Sequence, residues 1–158
     1  MADTEKHLDA EAIDARMGRL PLYAVFTRPR AGYDLSSPQA DALLLEHLGW
    51  LLDLQDQGRL VAGGPLDYGR PPRSGDPIIN ASGMFVLAAA SEEEAAAIVA
   101  DEPFTRAGWR TCSICTWLLN EGIVIDAARP AVDAFGAGLH DPATPAWAGL
   151  VEDSGAGW

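Results

Sequence analysis

Leu20–Gly63 reads LPLYAVFTRPRAGYDLSSPQADALLLEHLGWLLDLQDQGRLVAG, and its pattern decides the fold class. Leu20–Thr27 is apolar, aromatic and partly β-branched, as a strand requires. Arg28–Ser36 holds Pro29 and Gly32 and reads as a loop. Ser37 is placed to cap a helix, Pro38 suits its first turn, and Asp41 favours the positive end of the helix dipole. Leu44, Leu48, Leu51 and Leu52 recur at helical spacing up to Gly58, a C-terminal stop, so a helix is expected over Ser37–Gln57. Arg59–Gly63 is a short second strand that ends at Gly64-Pro65.

Outward from that unit the signals repeat. Leu66–Asp76 reads as a long loop with Pro71, Pro72 and Gly75. Ile78–Ala89 contains a third strand, clearest in GMFVLAA. Ser91–Asp101 is a second helix opened by the S-x-x-E capping box of Ser91 and Glu94. Glu102–Trp109 reads as a turn, and Arg110–Asn120 as the fourth strand. The order βαββαβ is that of the ferredoxin-like α+β fold, a four-stranded antiparallel sheet with both helices on one face. The bare sheet face then calls for cover, and a second copy of the chain is the expected cover, giving a homodimer. Three segments are expected: an N-terminal arm over 1–19, the domain over 20–122, and an Ala/Gly/Pro-rich extension over 123–158. No secondary structure is assigned to the extension, but its aromatic residues suggest that the part around Phe135–Trp147 docks on the domain.

Composition narrows the partners. The 158 residues carry a formal net charge of −12, which argues against nucleic acid and against an anionic membrane surface. No apolar run is long enough to span a bilayer, and the acidic start lacks the apolar core of a secretory signal, so the cytoplasm is the expected location. Cys112 and Cys115 make a C-x-x-C, but they lie in a strand, where residues three apart face opposite ways. With no second such pair and scattered histidines, no metal site is expected, and no nucleotide loop is present.

His47 is the foremost candidate for chemistry. It shares a helix stripe with Leu43, Trp50, Leu51 and Leu54, where an imidazole is either a satisfied core group or an acid–base catalyst. Asp101 and Glu102 close the second helix, where the dipole disfavours carboxylates, so either one is a candidate for orienting a histidine. Gly64 and Pro65, at a strand end, allow close approach of a ligand. Arg28 and Arg106 are candidates to hold a substrate carboxylate or enolate oxygen.

Three segments together resemble the YCII family: His47–Asp67, HLGWLLDLQDQGRLVAGGPLD; Ser91–Ala95, SEEEA; and Glu102–Gly108, EPFTRAG. The similarity covers about residues 20–122, and Trp117 falls near the family's closing aromatic. The resemblance implies a ferredoxin-like dimer of the α/β-barrel type with a pocket between sheet and helices. It implies activities such as lactone dehalogenation and dehydrochlorination of aromatic breakdown products, without metal or organic cofactor. It also implies a site pairing the helical histidine, here His47, with the acid of the family's D-P motif. Here Glu102 stands where Asp is usual, with Asp101 beside it as the alternative. The expected function is therefore a lyase, dehydrohalogenase or isomerase acting on a small lactone, enone or phenolic substrate. A non-catalytic dimeric binding or accessory module is the competing expectation.

Overall fold

The computed structural model describes residues 9–34, 36–66 and 82–136. A short helix α1 (Ala10–Asp14) precedes β1 (Leu20–Pro29), α2 (Pro38–Asp56), β2 (Leu60–Pro65), β3 (Gly83–Leu87), α3 (Glu92–Ala100), α4 (Pro103–Arg106), β4 (Arg110–Leu119) and α5 (Ile125–Phe135). The strands form one antiparallel sheet in the order β2-β3-β1-β4. This is the ferredoxin-like α+β arrangement, with the first and third strands central.

The helix boundaries follow from local chemistry. The Ala40 N–H donates to the Ser37 hydroxyl at the head of α2, and Pro38 stands in its first turn. At the other end Gly58 takes φ 75°, and the Arg59 N–H turns back to the Leu54 carbonyl. Only glycine adopts that left-handed conformation without strain, which is why α2 stops there. In α3 the Glu94 N–H donates to the Ser91 hydroxyl. The Glu94 carboxylate in return accepts from the Ala90 N–H (2.6 Å), one residue ahead of the usual capping-box partner.

Strand alternation sorts the core into two layers. Tyr23 and Val25 of β1 join Phe85 and Leu87 of β3 under Leu54 of α2 and Val99 of α3. Leu20 and Leu22 point the other way, with Val86, Ala88 and Leu119. Burying each such Leu, Val or Phe is worth roughly 1.5–3 kcal/mol, so both faces of the central strands call for cover.

The second face is covered differently from the sequence expectation. Helix α5 lies within the extension to which no secondary structure was assigned, and it packs Ala128 and Val132 onto Leu20, Leu22 and Val86. The chain thus covers part of its own bare sheet face. What α5 leaves uncovered is a strip on β4, where Thr111, Ser113, Cys115 and Trp117 are exposed. Phe135 is partly buried against the same cluster. The remainder of the proposed docking segment lies outside the described residues, as do most of the Leu66–Asp76 loop and the Ile78 end of the third strand. The Glu102–Trp109 turn also needs correction, since it contains the one-turn helix α4.

Candidate active site

Correcting that turn changes the meaning of its acid. Asp101 is the C-cap of α3, but Glu102 is the N-cap of α4, with Pro103 in the first helical position. Glu102 therefore sits at the end of a helix that favours a carboxylate. Its Oε1 accepts from the Phe104 N–H (3.1 Å) and its Oε2 from the Thr105 N–H (2.7 Å). The Thr105 hydroxyl donates to the same Oε2 (2.7 Å) and meets Cys112 Sγ at 3.1 Å. Because the hydroxyl has one proton to give, the Cys112 thiol is the donor to Thr105. Burial pushes that thiol pKa up, which keeps the proton in place.

The Glu102 side chain is completely buried. Burial alone would raise its pKa, but the His47 contact, the Arg110 charge and the two Thr105 donors outweigh it, and the pKa falls to about 2. An isolated carboxylate could not stay ionised in that position.

His47, near the middle of α2, brings Nδ1 to 2.9 Å from Glu102 Oε1. The separation is that of a hydrogen bond, although the N–H is not aimed straight at the oxygen. Loose alignment of this kind is common in ligand-free acid–base pairs. The ring is held by Phe104, edge-on at 5.9 Å, and by Trp50 at 6.3 Å. With Nδ1 committed to Glu102, Nε2 is the nitrogen left for a molecule in the cavity beside it.

That cavity, about 450 Å³, opens between α2 and the β2–β3 edge of the sheet. Its walls are mostly apolar, with Leu44, Leu51, Phe85 and Phe104 among them. Gly64 and Pro65 line it, as do Thr27 and Arg110. A Cβ on Gly63 would stand 3.1 Å from the Phe85 side chain, so the glycine keeps this wall thin.

The expected site residues thus separate. His47, Gly64 and Pro65 line the cavity, and Glu102 stands behind His47, in contact with its Nδ1. Asp101 is exposed, and its carbonyl accepts from the Arg106 guanidinium (3.4 Å). Arg106 is itself exposed, pairs with Glu46 at 3.2 Å, and does not line the cavity. Arg28 follows the cavity-lining Thr27 on β1, so it points to the opposite sheet face and is exposed. The arginine at the cavity is Arg110, 6% exposed, with its guanidinium 4.3 Å above the Phe104 ring. Sequence reasoning passed over it as the first residue of a strand. Alternation with Cys112 and Ile114, both packed on the helix-covered core, would have marked it as a buried charge. Among the described residues no cluster of His, Cys, Asp and Glu could hold a metal ion. No helix among them is long and apolar enough to cross a membrane.

Among solved structures the chain is similar to 5-chloro-2-hydroxyhydroquinone dehydrochlorinase from Burkholderia phenoliruptrix AC1100, in complex with 2,5-dihydroxybenzoquinone. The two are 24% identical over 61% of this chain and 92% of that one, with a TM-score of 0.47. No curated protein matches the sequence. Residues 22–118, more than half of the chain, match the YCII-related domain, and the chain belongs to that family.

Proposed function

We propose that the protein is a cofactor-independent acid–base enzyme of the lyase or isomerase type, with His47 as its proton-transfer group and Glu102 as the carboxylate that orients it. The observation that carries this reading is a fully buried carboxylate 2.9 Å from an imidazole that lines an apolar cavity. A structural core histidine needs no such partner, and a carboxylate is costly to keep charged there. The cavity volume lies within the range of small-molecule sites and suits a small cyclic lactone, enone or phenol.

The chemistry balances without an added oxidant. Nε2 takes a proton from the carbon next to a carbonyl. The C–H electron pair becomes a C=C bond, and the carbonyl π pair moves onto oxygen as an enolate. In an elimination the enolate re-forms its carbonyl and a leaving group such as chloride departs with its electrons, after which His47 gives its proton to water. In an isomerisation His47 returns the proton at another carbon. Glu102 stabilises the imidazolium between the two steps.

The test is a panel of small cyclic ketones, lactones and chlorinated hydroquinones incubated with the protein in deuterated water. Expected is chloride release or deuterium incorporation with at least one compound class. Compounds that bind in the cavity with neither outcome would leave a binding module as the better description.

We further propose that two copies pair through the strip of β4 that α5 leaves uncovered, around Cys115 and Trp117. Sedimentation at micromolar concentration is expected to give twice the chain mass. A monomer there would end the proposal.

A further inference from the structure

Arg110 has more donors than its surroundings use. Its guanidinium carries five N–H groups. Nε stands 3.7 Å from Glu102 Oε2, an ion-pair separation too long for a hydrogen bond. Among the described residues no hydrogen bond reaches this guanidinium, and Nε is buried without a hydrogen-bond partner. Glu102 has little left to offer, because its two oxygens already face His47 Nδ1, the Phe104 and Thr105 N–H groups and the Thr105 hydroxyl. Leaving donors of a buried cation unsatisfied costs more than a packed apolar side chain would in the same place. Burial lowers the pKa of Arg110, and the charge of Glu102 opposes that shift.

The side chain nevertheless lines the same cavity as His47, against walls that are otherwise mostly apolar. Phe104 stacks beneath the guanidinium plane and holds it in place. A fixed, desolvated guanidinium with unused N–H groups beside an apolar ring-sized space is suited to an oxygen anion on a flat apolar body.

We propose that Arg110 is the substrate-binding group of this cavity, and that the substrates it selects carry an anionic oxygen, either a carboxylate or a phenolate or enolate, on a small unsaturated ring. This deepens the acid–base reading and rests on it for the word substrate. On that reading, an oxygen held by Arg110 and conjugated with the reacting carbon would receive the electron pair that proton removal releases. Arg110 would then fix which compounds enter and which end of them meets His47.

The test measures binding alone, so its result does not depend on turnover. Benzoate and nitrobenzene have nearly the same shape and differ in charge, and 4-nitrophenolate supplies the phenolate case. Titrations followed by protein NMR should show benzoate or 4-nitrophenolate binding about 10- to 100-fold more tightly than nitrobenzene, as expected for charge-assisted hydrogen bonds. Benzoate as the tighter anion identifies the carboxylate class, and 4-nitrophenolate the phenolate class. Arg110→Gln should abolish the preference, while Arg106→Gln, at an exposed arginine outside the cavity, should keep it. Equal binding of nitrobenzene and both anions to the wild-type protein would overturn the proposal, and this comparison needs no variant. An anion preference that survives in a folded Arg110→Gln protein would overturn it equally.

Discussion

Glu102→Gln is expected to lower the unfolding free energy by about 3–5 kcal/mol, the range seen when one partner of a buried ion pair is removed. Two effects add. Arg110 and the His47 ring lose the negative charge against which they are buried. The amide also presents an NH₂ group where the carboxylate accepted from Phe104, Thr105 and His47, so at least one donor faces another donor. The pH dependence gives an independent readout. The Glu102 pKa is held at about 2 against an ordinary value of 4.5. A depressed carboxylate pKa contributes stability that is fully present above the ordinary value. That stability is lost as pH falls from about 4.5 toward about 2, where the folded protein finally takes up the proton. At about 1.4 kcal/mol per pH unit the difference is worth roughly 3 kcal/mol. Urea unfolding between pH 3 and pH 7 should therefore show a steep acid loss in the wild-type protein and a flatter one in the variant. Glu102→Asp keeps the charge but withdraws it from His47 by one methylene, so it should recover part of the stability. A loss below about 1 kcal/mol with an unchanged acid slope would mean that the carboxylate is not what keeps Arg110 buried.

His47→Gln should separate chemistry from stability. Removing a positioned general base typically costs 10²–10⁴-fold in rate. The structural cost should be near 1 kcal/mol, because an amide of similar size can still donate to Glu102. The ring is only partly buried, and its packing partners have other contacts, Phe104 with Trp109 and Trp50 with Phe85. Rates should be measured on whichever compound the wild-type protein turns over, beside thermal melting of both proteins. A variant that melts many degrees lower but retains its rate would make His47 a structural residue.

The order of the principal elements was legible because their ends carry strong local signals. Ser37-Pro38, Gly58 and the Ser91–Glu94 pair act within one turn and depend little on the rest of the chain. His47 and Glu102 were legible as candidates from their helix positions and as a pair through family resemblance, but their meeting depends on how α2 and α4 lie across the sheet. The choice between Asp101 and Glu102 had a local clue that was read the wrong way. An acid followed by proline is the N-cap and first residue of a new helix, whereas Asp101 and Glu102 were read together as the tail of α3. Helix α5 was hidden by composition. Ala, Gly and Pro dominate the extension, and Pro130 sits inside the helix. Ile125, Ala128, Val132 and Phe135 still trace one apolar face at helical spacing, and that face is the one packed on the sheet. Arg110 was missed because alternation groups it with Cys112 and Ile114 but does not by itself say that their face is the one the helices cover.

The cover supplied by α5 also bears on the order in which the chain is made. Leu20 and Leu22 leave the ribosome more than a hundred residues before Ala128 and Val132. Until then the far side of β1 and β3 lacks the cover that α5 supplies, even though all four strands have already been synthesised. Contacts of such sequence separation close slowly, and an exposed apolar sheet face invites association with other nascent chains. Sealing by α5 therefore waits until all four strands have been made, and a chain truncated after Asn120 would carry every residue of the candidate site on a sheet without that cover.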